Sequence, residues 1–179
     1  MSISMQVTGT EQLQRYQQLL ETLGNPKHKM ALLDTLGAVV ESQTRRRIAD
    51  EKQAPDGSSW PDWSAPYAKT RHGNQSLLQG EGDLLDSIQY LVERDQVRVG
   101  SPLPYAAVHQ DGFAGSVQVD AHTRVVSQAF GMAIAPRTQF ISAFSRVMNI
   151  PQRQFLGLSR DNQTEVYAVI GDFWQELMQ

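Results

Sequence analysis

The chain has 179 residues, no cysteine, a net charge of −3 at neutral pH, 40% hydrophobic residues and 20% charged ones. That length and balance describe one globular domain with its own core, not a disordered tail and not a protein that coats nucleic acid through a broad basic surface. The missing cysteines exclude disulfides, thiolate metal sites and a cysteine nucleophile, and no apolar run approaches the roughly 20 residues of a membrane span.

The first residues, Met1-Ser-Ile-Ser-Met-Gln6, lack the charged-then-apolar layout of a signal peptide, so a soluble protein, cytosolic at synthesis, is expected. Ile3, Met5 and Val7 alternate with polar residues, which predicts a short strand ending at Gly9. A helix follows from Thr10, a good N-cap, with Leu13, Tyr16, Leu20 and Leu23 on one face. Gly24-Asn-Pro26 stops it, and a second helix runs from about Pro26 to Ala49. Met30, Leu33, Leu36, Val40 and Ile48 mark the buried side of that helix, with Thr44 filling one turn.

From Gln53 to Asp83 both periods vanish. A loop of that length is usually functional or disordered, but Trp60, Trp63 and Tyr67 speak against full disorder. Its tryptophans either pin it to the body or order it against a partner. Strands return with Ile88, Tyr90 and Val92, then Val97 and Val99 after the turn-like Arg94-Asp-Gln96, which reads as a hairpin. A longer hairpin is expected between Ser116 and Met148. There Val117, Val119 and Ala121 alternate with Gln118, Asp120 and His122, so one face is wet and the hairpin sits at an edge or projects. Asn162-Gln-Thr-Glu165 resembles a capping box for the last helix, whose stripe is Val166, Val169, Ile170, Phe173 and Leu177.

Taken together these elements predict a single α+β domain over 1–179. Two N-terminal antiparallel helices and a C-terminal helix pack on a small, mainly antiparallel sheet, with a long loop at 53–83 and a projecting β-hairpin at 116–148.

Residues able to carry chemistry are sparse. His28, His72, His109 and His122 have no ligand spacing, and there is no H-E-x-x-H, phosphate-cradling glycine loop or G-x-S-x-G elbow. No metal or cofactor is therefore expected. His109 could act as a general base beside Asp111, but with no nucleophile or oxyanion donor identifiable nearby the better reading is a histidine that satisfies buried backbone at a turn. Arg45-Arg46-Arg47 could touch phosphate. Its place near a helix C-terminus supplies the plainer reason, since cations there complement the helix dipole. Trp60 and Trp63 are either an exposed anchor for a partner or a cover folded over the core.

Several short elements recur in a fixed order: Arg45-Arg-Arg-Ile48 closing an amphipathic helix, Pro55-Asp-Gly-Ser-Ser-Trp60, Leu78-Gln-Gly-Glu-Gly-Asp-Leu-Leu-Asp-Ser87, Val99-Gly100, Tyr105-Ala-Ala-Val-His-Gln-Asp-Gly112 and Ile150-Pro-Gln-Arg-Gln-Phe-Leu-Gly157. In this order and spacing the chain resembles the bacteriophage virion morphogenesis, or tail completion, family of the type found in Mu-like phages. It departs from the family pattern at Glu81, where a small hydroxyl residue is usual. The resemblance implies a small α+β structural protein with no catalytic step, acting late in particle assembly at the head–tail junction and present in the host cytoplasm until then. It also implies a homo-oligomer, with a ring as one form, that meets other neck, portal or tail proteins. Chemistry and motif position make Trp60, Trp63, Tyr105, His109, Arg137, Arg153 and Phe155 the candidate partner contacts. For Arg153 the competing reading is an arginine that ties down backbone carbonyls. The alternative function is a small nucleic-acid-binding or DNA-packaging accessory protein using Arg45 to Arg47.

Overall fold

A computed structural model describes residues 17, 21, 24–73, 75–129 and 132–177. The expected first strand and, apart from isolated positions, the expected first helix lie outside the described residues, as does any pairing of that helix with the second. The described chain is α+β, with five α-helices and three small antiparallel pairs of strands.

Helix α1 spans Pro26–Arg46. Asn25 caps it, accepting a hydrogen bond from the Lys27 N–H at 2.9 Å, and Pro26 occupies the first turn, where its missing N–H costs nothing. The helix does not stop at Ala49. It widens into a π-helical turn over Arg47–Glu51 and ends at Lys52, whose left-handed backbone (φ 54°) lets its N–H reach the Arg47 carbonyl at 3.0 Å. The buried face is carried by Gly37, Gln43, Thr44, Arg47 and Ile48, while Leu33, Leu36 and Val40 are half-buried. Met30, expected on the buried side, is 50% exposed.

The stretch from Gln53 to Asp83 is built of turns, a single-turn helix α2 (Ala65–Ala68) and the approach to a second one, α3 (Asp83–Asp86). Gly82, with φ 108°, stands at the start of α3 in a left-handed conformation that glycine adopts without strain. Strands β1 (Gln89–Val92) and β2 (Val97–Gly100) pair antiparallel, Tyr90 opposite Val99. The Tyr90 ring lies against Gly37 of α1, where a methyl group would meet it at 2.3 Å, and its hydroxyl donates to Asp34 at 2.9 Å. Helix α1 therefore lies across this hairpin on one side and against the last helix, α5 (Arg160–Leu177), on the other.

Between the hairpin and α5 come helix α4 (Pro104–Asp111) and four strands: β3 (Phe113–Val119), β4 (His122–Ala129), β5 (Met132–Ile141) and β6 (Phe144–Ile150). Among the described residues no larger sheet forms, because β3 pairs only with β6 and β4 only with β5. The two pairs share a register: Val119 faces Phe144, and three residues on, His122 faces Ile141. They make one two-stranded ribbon over 113–150, interrupted at 120–121 and 142–143. A bulge falls between Val126 and Gln128, opposite Pro136, which has no N–H to give to a ladder.

The cap of α5 is not the Asn162–Glu165 pair expected from the sequence. Ser159 and Asn162 cap each other reciprocally, Asn162 N–H to Ser159 Oγ at 3.1 Å and Ser159 N–H to Asn162 Oδ1 at 3.2 Å. Glu165 is used across the helix pair instead, accepting from Gln43 Nε2 at 2.7 Å and from Arg46 Nη2 at 3.4 Å. The core proper comprises Ile48, Trp60, Leu84, Ile88, Ala106 and Phe155, wrapped by Leu77, Leu78, Val99, Leu103 and Leu156.

Candidate functional site

The segment Pro151–Gly157 lies in no ladder; Arg153 and Phe155 are buried in it, and Pro151, Gln154 and Leu156 are half-buried. Buried backbone polar groups must still be paired, and here side chains from three other elements do it. Gln110 of α4 accepts from the N–H groups of Phe155 (3.0 Å) and Leu156 (2.9 Å) and donates back to the Leu156 carbonyl (3.2 Å). Trp60 donates through Nε1 to the Gln154 carbonyl at 3.0 Å. Arg47 donates to the carbonyls of Phe155 (2.9 Å) and Gly157 (2.7 Å) and to Asn162 Oδ1. Arg153 points the other way, its Nε and Nη2 donating to the carbonyls of Pro61 (2.8 Å) and Asp62 (2.9 Å), while its own N–H reaches the His109 carbonyl (2.8 Å). This strap and its side chains form a clasp that holds the long loop, α4 and α1 together.

The glycines of the clasp are set by close approach. Gly112, with φ 76°, lies where a Cβ would stand 3.0 Å from the Gln152 nitrogen; at Gly157, with φ 136°, a Cβ would be 2.7 Å from Pro55 Cγ. Pro55-Asp-Gly-Ser58 is itself a tight turn. Asp56 accepts from the Ser58 N–H (2.9 Å) and hydroxyl (2.6 Å), and Gly57 takes φ 86°. That turn reverses the chain so that Trp60 enters the core.

Beside the clasp opens a groove of about 750 Å³, bounded by the long loop, α4 and the end of β6. Trp63, Tyr67, Leu78, Leu84, Tyr105, Met148 and Ile150 give it apolar walls; Asp62, Glu81 and Asp83 bring carboxylates, and Arg71, Arg146, Arg153 and His109 bring basic groups. Trp63 meets Tyr67 edge to face with ring centroids 5.9 Å apart, and Arg71 lies over the Tyr67 ring at 4.4 Å. Burial, then the positive charge of Arg153, hold the His109 imidazole below its ordinary range, and its Nδ1 is buried with no partner. Burial also lowers the pKa values of Arg47 and Arg153. No group of three or more metal-ligating side chains is found among the described residues, and no described helix is long and apolar enough to cross a membrane.

The sequence profile of the phage virion morphogenesis family matches residues 9–174. The chain belongs to the phage virion morphogenesis family. It is 26% identical over 174 residues to capsid assembly protein G of Escherichia phage Mu, covering 95% of this chain and 94% of that protein. No solved structure matches it.

Four of the short elements singled out in the sequence thus meet in the clasp: Arg47, the Pro55–Trp60 turn, the Tyr105–Gly112 segment and the Ile150–Gly157 strap. Six of the seven candidate contacts gather there, in two layers. Trp60 (5% exposed), Phe155 (0%) and Arg153 (6%) are interior. Trp60 and Phe155 pack in the core rather than face solvent, and Arg153 ties the long loop to the strap. Trp63, Tyr105 and His109 line the groove, Tyr105 with its ring edge-on to His109 at 6.1 Å. Arg137 stands apart, exposed on β5 opposite Val126. His109 sits in a two-turn helix rather than a bare turn, its carbonyl tied by Arg153 and its ring facing the groove. Sequence reasoning missed Gln110, which carries more strap hydrogen bonds than any candidate contact, and Arg47 as an individual. A lone glutamine inside a helix has no periodic signal; three adjacent arginines hide the one whose position is buried.

The three arginines are spoken for inside the chain. Arg45 pairs with Glu41 at 2.9 Å and donates to the Ile88 carbonyl at 2.8 Å, Arg46 pairs with Glu51 and Glu165, and Arg47 is 1% exposed.

Proposed function

We propose that this chain is a structural, non-catalytic subunit of the head–tail junction, a neck or tail-completion component present in several copies and arranged as a ring. It meets portal-side or tail-side proteins in the particle and waits in the host cytoplasm during assembly. Family membership and the similarity to a capsid assembly protein of phage Mu support an assembly role. The observation that carries the finer reading is the ribbon. Of the twelve large hydrophobic side chains exposed among the described residues, six lie in 113–150, a stretch of 38 of the chain's 179 residues. Monomeric proteins rarely leave so concentrated an apolar surface in water unless something covers it.

The groove supports a binding role over a reaction. It pairs aromatic walls with scattered charges, and its one histidine, His109, has its pKa lowered by burial and its Nδ1 without a hydrogen-bond partner among the described residues. The packaging alternative would need Arg45 to Arg47 free to meet phosphate, and their internal pairings do not favour it.

Cryo-electron microscopy of intact particles tests the reading. A symmetric set of copies at the neck is the expected result; finished particles without the chain, or copies confined to the capsid shell, would overturn it.

A further inference from the structure

The ribbon carries a charge pattern that the fold does not use. From Ala121 to Arg160 the chain has five arginines and no aspartate or glutamate, although the net charge of the whole is −3. Three of the five have other places: Arg153 is spent on the clasp, Arg146 opens on the groove and Arg160 begins α5. Arg124 and Arg137 remain, both exposed on the distal ribbon. The register sets Arg124 opposite Gln139 and Arg137 opposite Val126, so the two are diagonal neighbours on one face, with His122 beside them. Such neighbours stand about 7–8 Å apart.

Neither arginine has a carboxylate partner among the described residues, and Arg124 donates only to Gln139 Oε1, at 3.2 Å. Arg45, Arg46 and Arg98, by contrast, each face a glutamate. Like charges that close repel each other, and a polyanion lying on the face would turn the repulsion into attraction. Thr123, Val125, Thr138 and Phe140 belong to the opposite face, and the apolar members of the arginine face, Val126 and Ile141, are half-buried. An anionic membrane draws apolar and basic side chains in together, and a protein interface has an apolar centre. The arginine face offers charge and amide groups without either.

We propose that the arginine face of the distal ribbon lies on double-stranded DNA and holds it by its phosphates. A two-stranded ribbon is narrow enough to enter the major groove, about 12 Å wide, and arginine can bind a phosphate through two parallel hydrogen bonds. Phosphate contacts carry no sequence information, so the binding is indifferent to sequence. The acidic total keeps the contact local, confined to Arg124 and Arg137 rather than spread as a coat. This goes beyond the assembly reading and does not rest on it. It also places the DNA contact away from Arg45 to Arg47, whose charges are used inside the chain.

The full-length protein is titrated into a fluorescein-labelled DNA duplex, and anisotropy is read over a range of salt concentrations. With two phosphates neutralised, the logarithm of the binding constant should fall against the logarithm of salt concentration with a slope of about −2. Arg124→Gln and Arg137→Gln should each remove about 1 from that slope, and the double variant should not bind. Arg124→Lys keeps the charge and should keep the slope. Arg98→Gln takes the same charge from an exposed position on β2 and should leave binding unchanged. All these positions are exposed, so the variants keep the circular dichroism and melting curve of the native chain. Absence of binding at low salt overturns the proposal. So does an Arg98→Gln variant that weakens as much as the ribbon variants, which would make net charge and not the ribbon the source. Oligo-glutamate or anionic phospholipid vesicles bound as tightly as the duplex, or more tightly, overturn it too and make an acidic protein or a membrane the partner.

Discussion

The strap at 151–157 and the ribbon at 113–150 are joined at Ile150 and solve opposite problems. In the strap the backbone has no ladder and borrows side chains, Gln110, Trp60 and Arg47, to satisfy its polar groups, while Phe155 is fully buried. In the ribbon the backbone is satisfied by its own pairing, and the apolar side chains are left in water. Folding is complete in the first and incomplete in the second. What is buried in the isolated chain sets its stability; what is left exposed sets what it can join. Mutations should separate the two.

The largest effect is expected from Phe155→Ala, which empties the centre of the core and should cost about 3–5 kcal/mol in urea or guanidinium unfolding. A loss under about 1 kcal/mol would mean that the clasp is not the seat of stability. Arg47→Met follows. It keeps most of the side-chain volume but leaves two strap carbonyls and Asn162 without their donor, at roughly 1–3 kcal/mol for each group left buried and unpaired. We expect a net loss of about 3 kcal/mol by the same measurement. In the ribbon, Val147→Ser changes a side chain that is 86% exposed, and the unfolding midpoint should move by no more than about 0.5 kcal/mol. A large destabilisation there would show that the ribbon face is covered within the chain itself.

The smallest effect concerns pH. Burial and Arg153 hold His109 below its ordinary range, so the unfolded chain takes up the proton first as pH falls. The contribution is therefore fully present above about pH 6.5 and is lost as pH drops below that value. Unfolding midpoints measured at about pH 7.5 and about pH 5.5 should differ more for the native chain than for His109→Gln. An identical pH dependence in both would remove His109 from the account.

Legibility in the sequence followed the same divide. The half-buried stripe of α1, the β1–β2 hairpin and the stripe of α5 were readable, because burial on one face imposes a period on the residues. The strap has no period, so its residues could be singled out only as part of a family pattern and not as a buried backbone fed by glutamine and arginine. The capping box expected at α5 lies three residues late, because Asn162 and Glu165 fit the spacing while Ser159, which does the capping, stands just before. Loop 53–83 offered two readings of its tryptophans, and the fold divides them: Trp60 goes inward and Trp63 goes to the groove. Solvent exposure in the ribbon leaves the weakest mark. Alternation is visible at Val117 and Val119, but beyond them Val125 and Phe140 look like core residues until their surroundings are known.

The direct continuity of β6 into the strap has a mechanical consequence. Strand β3 leaves α4 at Gly112, and β6 enters the strap at Ile150, so both legs of the ribbon are rooted in the two segments that Gln110 locks together. A pull on the ribbon tip is carried down both strands and arrives as shear on the Gln110 and Arg47 hydrogen bonds. The clasp that gives the subunit its core is therefore also the anchorage through which any load borne by the ribbon enters the body.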